Sequence, residues 1–196
     1  MDMFKNQQKV IDSMTDRELL QQLYITQLLL LSIALGIGLW KYNAMTEFFS
    51  YWKLNFMEIL LYGGGSASLV IVVDLVFMKL LPPSMYDDGG INKRIFSKRS
   101  IPHLFFLCFV IATAEELLFR GVIQVHFGII WASIIFALMH IRYLSKWFLL
   151  VMVVTLSFFI GWLFHVTNNL FVTIFAHFLI DFILGLHIKL TATKEA

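Results

Sequence analysis

The sequence predicts an all-α fold, a polytopic membrane helix bundle of about six transmembrane helices. The chain is 59% apolar and 14% charged, whereas soluble domains average roughly 45–50% apolar and 25% charged residues. Apolar runs near the roughly 20 residues needed to cross a bilayer recur along the whole sequence. The bilayer is therefore predicted to be the solvent of this protein.

The first half of the chain predicts two spans. Thr15 and Glu18 fit a capping box, so a helix is expected to start there and to cross the membrane over residues 23–40. Residues 59–78 form the second run, which Pro82 and Pro83 should end. The sequence predicts a solvated, basic loop at residues 84–100. We divide this half into a cytoplasmic N-terminal segment, 1–22, and a unit of two transmembrane helices with a basic cytoplasmic loop, 23–100.

The second half, residues 101–190, predicts four further spans and a catalytic core. The third span starts near Ile101, and the charge-free stretch 121–141 is predicted to be the fourth. Residues 147–180 carry no charge and would extend about 51 Å as one helix, too long for one crossing. The polar residues 165–169 are the expected break, which leaves spans at 147–164 and 170–188.

Basic residues predict the orientation, because cytoplasmic loops are enriched in Lys and Arg. With both termini in the cytoplasm, twelve of the 15 basic residues fall in cytoplasmic segments: Lys5, Lys9, Arg17, Lys79, Lys93, Arg94, Lys98, Arg99, Arg142, Lys146, Lys189 and Lys194. A net charge of +2 gives no indication of a nucleic-acid partner. The single cysteine, Cys108, excludes intramolecular disulfides and sites of several thiolates.

Charged residues inside the spans are functional-site candidates, since each costs roughly 2.5–3.5 kcal/mol on insertion scales. Glu116 and Arg120 are four residues apart with the acid first, which favours an ion pair on one helix face. Glu115 lies about 100° around the helix and is left available as a base. The alternative is that all three form a buried ion network that only joins helices.

Two further pairs share the same spacing. His140 follows Phe136 by four residues, a pattern that by itself more often marks a packed or interfacial histidine than a functional one. His177 precedes Asp181 by four residues, and such an imidazole–carboxylate pair within a span can fix a tautomer, move a proton or present a metal ligand. By spacing alone this second pair fits either a structural or a catalytic role.

Together the three segments resemble the CPBP family of intramembrane proteases, also called the Abi or CAAX-protease-like family, and its bacterial members in particular. The family pattern is matched in order on consecutive segments by Glu115-Glu116-x-x-x-Arg120, Phe136-x-x-x-His140 and His177-x-x-x-Asp181. The resemblance implies an endopeptidase of a bacterial cell membrane that acts on membrane-embedded or membrane-tethered proteins and peptides.

The resemblance also implies roles. Glu115 and His140 would activate the attacking water, His177 with Asp181 would polarise the scissile carbonyl, and Glu116 with Arg120 would hold the site together. Relatives carry Asn in the last motif, and an ionised Asp181 accepts but cannot donate hydrogen bonds. A direct contact of Asp181 with an oxyanion would therefore require a protonated carboxyl group.

The sequence leaves the cofactor and two other functions open. Zinc is possible, with Glu115, His140 and His177 as its ligands, but a glutamate–histidine pair can also activate water unaided, and we favour that reading. The first other function is a non-catalytic immunity or scaffold protein of the same fold. The second is a small proton or ion carrier, because buried Glu and His also build proton relays.

Overall fold

A computed structural model of the chain describes residues 10–11, 13–143 and 146–194, and every regular element there is helical. The confirmed all-α bundle has these helices: α1 Asp16–Lys41, α2 Met45–Phe49, α3 Phe56–Leu80, α4 Pro83–Tyr86, α5 Ile91–Phe96, α6 Ile101–Leu118, α7 Ile129–Met139, α8 Trp147–Thr167 and α9 Leu170–Lys194. Among the described residues, α1, α3, α8 and α9 are long and apolar enough to cross a membrane. Lys5, Lys9 and Ala196 lie outside the described residues.

Local signals at the helix ends agree with most of the predicted boundaries. The capping box of Thr15 and Glu18 is present and starts α1. Ser100 caps α6 through its hydroxyl, which accepts from the backbone N–H of His103. Asn168 adopts a left-handed conformation with φ of 47° and separates α8 from α9 within the predicted break.

The predicted fourth span was wrong in its boundaries. Helix α6 continues through a π-helical turn, Phe119–Gln124, to Phe127, so the first residues of the 121–141 stretch continue the helix of the third predicted span. The chain then turns at Gly128, where φ is 88° and ψ is 164°, a conformation essentially confined to glycine. Helix α7 is left with 11 residues, about 16 Å, which is short of the roughly 30 Å hydrocarbon core.

The predicted solvated loop at 84–100 was also wrong in part. It contains α4 and α5, and the side chains of Ile91 and Ile95 on α5 are 4% and 6% exposed. These two residues lie one helical turn apart and pack against Leu107 and Ile111 of α6. Burial of this apolar edge explains why the segment is ordered against the bundle rather than solvated along its length.

The connections between helices gather at two ends of the bundle. At the basic end, Arg94 Nε lies 2.8 Å from Asp16 Oδ1 and Lys189 Nζ lies 3.1 Å from the carbonyl oxygen of Ser97. At the other end, the N–H of Leu170 donates to the carbonyl oxygen of Tyr51 at 2.8 Å. Segments predicted to share a side of the membrane thus meet at one end, while the choice of the cytoplasmic end stays a prediction.

Candidate active site

Helix α6 places three charged side chains inside the bundle. Glu116 and Arg120 are fully buried, and the predicted ion pair is present, with Arg120 Nε 3.3 Å from Glu116 Oε2. Arg120 Nη2 also donates to Ser157 Oγ on α8 at 3.2 Å. Glu115 lies outside the ion pair, as predicted from the helical period, and its side chain is 13% exposed.

Helix α9 brings a histidine against these carboxylates. His177 Nδ1 lies 2.9 Å from Glu116 Oε1, a hydrogen bond between residues 61 positions apart. Its other nitrogen, Nε2, lies 3.6 Å from Asp181 Oδ2 and 3.9 Å from Glu115 Oε2. The predicted pair of His177 with Asp181 is therefore a close contact, but the hydrogen bond of this imidazole goes to Glu116.

Small side chains let α6 and α9 approach each other. Cys108 and Ala112 of α6 and Ala176 of α9 are fully buried. A Cβ atom at Gly185 of α9 would come within 3.3 Å of the side chain of Leu104 on α6. Small residues are the usual means of close helix contact in membranes, where packing rather than water exclusion drives association. Close contact of the two backbones is what brings the carboxylates within reach of His177.

His140 occupies the end of α7, where the helix runs out of backbone partners. Its N–H bonds to the carbonyl oxygen of Ala137 instead of Phe136, and its ring Nδ1 lies 2.9 Å from the freed carbonyl oxygen of Phe136. A carbonyl oxygen only accepts hydrogen bonds, so Nδ1 must carry the proton in this contact. The neutral imidazole then keeps its lone pair on Nε2.

The site is rich in negative charge. Three carboxylates, Glu115, Glu116 and Asp181, lie around His177, and Arg120 is a permanent cation that forms an ion pair with Glu116. Arg120 also lies 5.5 Å above the ring centroid of Phe136 in a cation–π contact. An uncompensated charge at this depth is costly, so Arg120 is the main electrostatic support of the carboxylates.

The three residues considered as zinc ligands do not form a ligand set in this arrangement. Within the described residues, no group of three or more His, Cys, Asp and Glu side chains is placed to hold one metal ion. The Nδ1 contacts of His177 and His140 leave Nε2 available on each imidazole, which is also the usual arrangement of a metal ligand, so these contacts do not argue against zinc. Because the side chains of the described residues do not converge as a ligand set, we assign no step to a metal.

Two contacts of the site had no usable signal in the sequence. The bond of His177 to Glu116 joins two motifs whose relative rotation the spacing does not determine. Ser157 is fully buried, but a single serine in an apolar span commonly bonds to its own helix backbone, so its contact with Arg120 could not be anticipated.

Two comparisons with known proteins indicate the family of the chain. Residues 97–183, which contain all the motif residues above, match the family model described as type II CAAX prenyl endopeptidase Rce1-like. The chain is 48% identical over 165 residues to a Bacillus subtilis (strain 168) protein, "Uncharacterized protein YpbD", with 84% of this chain and 87% of that protein covered. No solved structure gives a significant match. With its helical bundle, its buried Glu–Arg–His cluster and these two matches, the chain belongs to the type II CAAX prenyl endopeptidase Rce1-like family.

Proposed function

We propose that this integral membrane protein is an endopeptidase of the CAAX type, which hydrolyses a peptide bond of a membrane-associated protein or peptide with a water activated by Glu and His. The observation that carries the proposal is the meeting of α6 and α9 at His177, which brings Glu115, Glu116 and Asp181 within 3.9 Å of one imidazole. Membership of the family supplies the reaction class.

Glu115 and His140 are the proposed pair that activates water. Glu115 is outside the Glu116–Arg120 ion pair and has an exposed fraction of 13%, against none for Glu116, so its carboxylate is the accessible one. His140 directs the basic Nε2 away from its own helix because Nδ1 is bound to Phe136. These groups would take the proton from water as its oxygen attacks the carbonyl carbon, and would return a proton to the departing amine.

His177 is the proposed donor to the developing oxyanion. Nδ1–H of His177 donates to Glu116, so Nε2–H is a second donor in the imidazolium form, in which both ring nitrogens carry a proton, and Nε2 lies on the side of Glu115 and Asp181. Asp181, 26% exposed, would orient this imidazole rather than contact the oxyanion, because an ionised carboxylate cannot donate. Arg120 acts indirectly, because its ion pair holds Glu116 in position against His177.

The test is the initial rate at which purified protein in liposomes cleaves a membrane-anchored reporter peptide. Glu115→Gln and His140→Ala should each lower the rate by roughly 10²–10⁴-fold. The double variant should be hardly slower than either single variant, because both residues act on one water. Glu47→Gln and His165→Ala are matched controls at exposed positions, and we expect both to cleave at the normal rate.

Several outcomes would change the assignment. Full activity of Glu115→Gln would refute the mechanism, and multiplicative losses in the double variant would argue against a shared water. Loss of activity on chelation with rescue by zinc would indicate that Glu115, His140 and His177 bind a metal ion instead. Absence of cleavage together with proton flux in the same liposomes would favour the carrier, and absence of both would favour the non-catalytic scaffold.

A further inference from the structure

The imidazole of His140 contacts the ring of Tyr143 as well as that of Phe136, and Tyr143 belongs to none of the three motifs. The ring of Tyr143 lies 5.7 Å from that of His140 with an angle of 25° between their planes, close to parallel. The chain makes a short 3-10 turn, Ile141–Tyr143, in which side chains three residues apart stack over one another. The N–H of Tyr143 donates to the carbonyl oxygen of His140 at 2.8 Å, which fixes this turn.

Tyr143 is in turn held by the arginine before it. Arg142 Nη2 donates to the hydroxyl oxygen of Tyr143 at 2.8 Å, and its guanidinium carbon lies 4.7 Å from the centroid of the same ring. A planar guanidinium can stack on a ring and donate a hydrogen bond at once, which a lysine cannot reproduce. The orientation of Tyr143 therefore depends on where Arg142 is held.

The connection between α4 and α5, together with the first turn of α5, holds Arg142. Arg142 Nη1 lies 3.8 Å from Asp88 Oδ2, and Arg142 Nη2 donates to Asn92 Oδ1 at 3.3 Å. The Asp88 side chain is only 7% exposed and also accepts from the N–H of Asn92 at 3.1 Å. A continuous set of contacts thus runs from this connection at the basic end, through Arg142 and Tyr143, to the imidazole of His140.

We propose that Tyr143 and Arg142 are positioning residues that hold the His140 ring in the orientation and tautomer needed for water activation, with the Asp88–Asn92 segment as their anchor. The catalytic part of this proposal rests on the proposed function, whereas the orientation of the ring does not. Phe136 fixes Nδ1 from within α7, and Tyr143 limits rotation of the ring out of that bond. The Asp88–Asn92 segment would then affect the reaction without contacting the substrate.

The experiment measures the tautomer and the cleavage rate on the same proteins. Imidazole nitrogen chemical shifts, with the His140 signal assigned by difference against His140→Ala, report whether Nδ1 or Nε2 carries the proton. The wild type should show the Nδ1–H form. Tyr143→Leu should show a mixture of tautomers and a cleavage rate lowered by about 10- to 100-fold, the scale of loss for a displaced catalytic group.

Two milder variants test the connection itself and cover the case in which Tyr143→Leu fails to fold. Tyr143→Phe and Arg142→Gln both remove the hydrogen bond between these residues, and Arg142→Gln also removes the contacts with Asp88, Asn92 and the Tyr143 ring. Arg142→Gln should therefore lower the rate at least as much as Tyr143→Phe, and their combination should be no slower than Arg142→Gln alone. Arg99→Gln is the matched control, since Arg99 lies at the same end but bonds to the backbone oxygens of Ile95 and Asp16. It should leave both measurements unchanged.

The outcomes separate this inference from the proposed function. A normal Nδ1–H tautomer in folded Tyr143→Leu, or additive losses in the two milder variants, would overturn the positioning role. A shifted tautomer in Tyr143→Leu together with no cleavage by any variant or by the wild type would support the positioning role and reject the peptidase.

Discussion

The buried ion pair of Glu116 and Arg120 gives the sharpest test of how the site is held together. Both side chains are fully buried, so Arg120→Ala leaves a carboxylate inside the bundle without its cation. Loss of one partner from a buried pair costs roughly 3–5 kcal/mol. We expect the lower end, about 3 kcal/mol, because His177 Nδ1 remains 2.9 Å from Glu116. That value is about a 100-fold shift of the folding equilibrium.

The measurement is the yield of monodisperse protein extracted in detergent, followed by its unfolding in the same detergent. Glu115→Gln removes a charge outside this pair and keeps the volume, so its yield should stay near the wild-type value, as should that of Arg17→Ala at an exposed position. The double variant Glu116→Gln, Arg120→Met should recover much of the loss, since no uncompensated charge is left. Equal yields of Arg120→Ala and Glu115→Gln would refute the reasoning.

Two more predictions concern topology and helix contact. A reporter fused after Asn168 should score external and one fused after Asp88 cytoplasmic, from the bias in basic residues, and an external score at Asp88 would overturn the orientation. In α3, a Cβ atom at Gly63 would lie 2.8 Å from the carbonyl oxygen of Val172, so Gly63→Ala should destabilise the fold by about 1–3 kcal/mol. Gly65→Ala is its control, because nothing lies within 4 Å of a Cβ atom there, and equal stability of the two variants would show that α3 and α9 are not in this contact.

The sequence by itself determined the membrane class and the contacts that lie within one helix. Composition and repeated apolar runs predicted the all-helical bundle, and the spacing of four residues predicted both the Glu116–Arg120 ion pair and the contact of Phe136 with His140, whose rings lie 4.7 Å apart. Such pairs follow from the helical period alone, since residues four apart share a face whatever the helix packs against.

The tertiary structure decided the contacts between helices. His177 has three carboxylates in reach, and only the rotation and depth of α9 against α6 make Glu116 its hydrogen-bonding partner in place of Asp181 on its own helix. The apolar pattern of the sequence likewise could not predict the turn that follows the continuation of α6. Residues on both sides of Gly128 are apolar, and the turn depends on the positive φ of Gly128. Periodicity determines which residues share a helix face, whereas the helix that covers this face follows from packing along the whole chain.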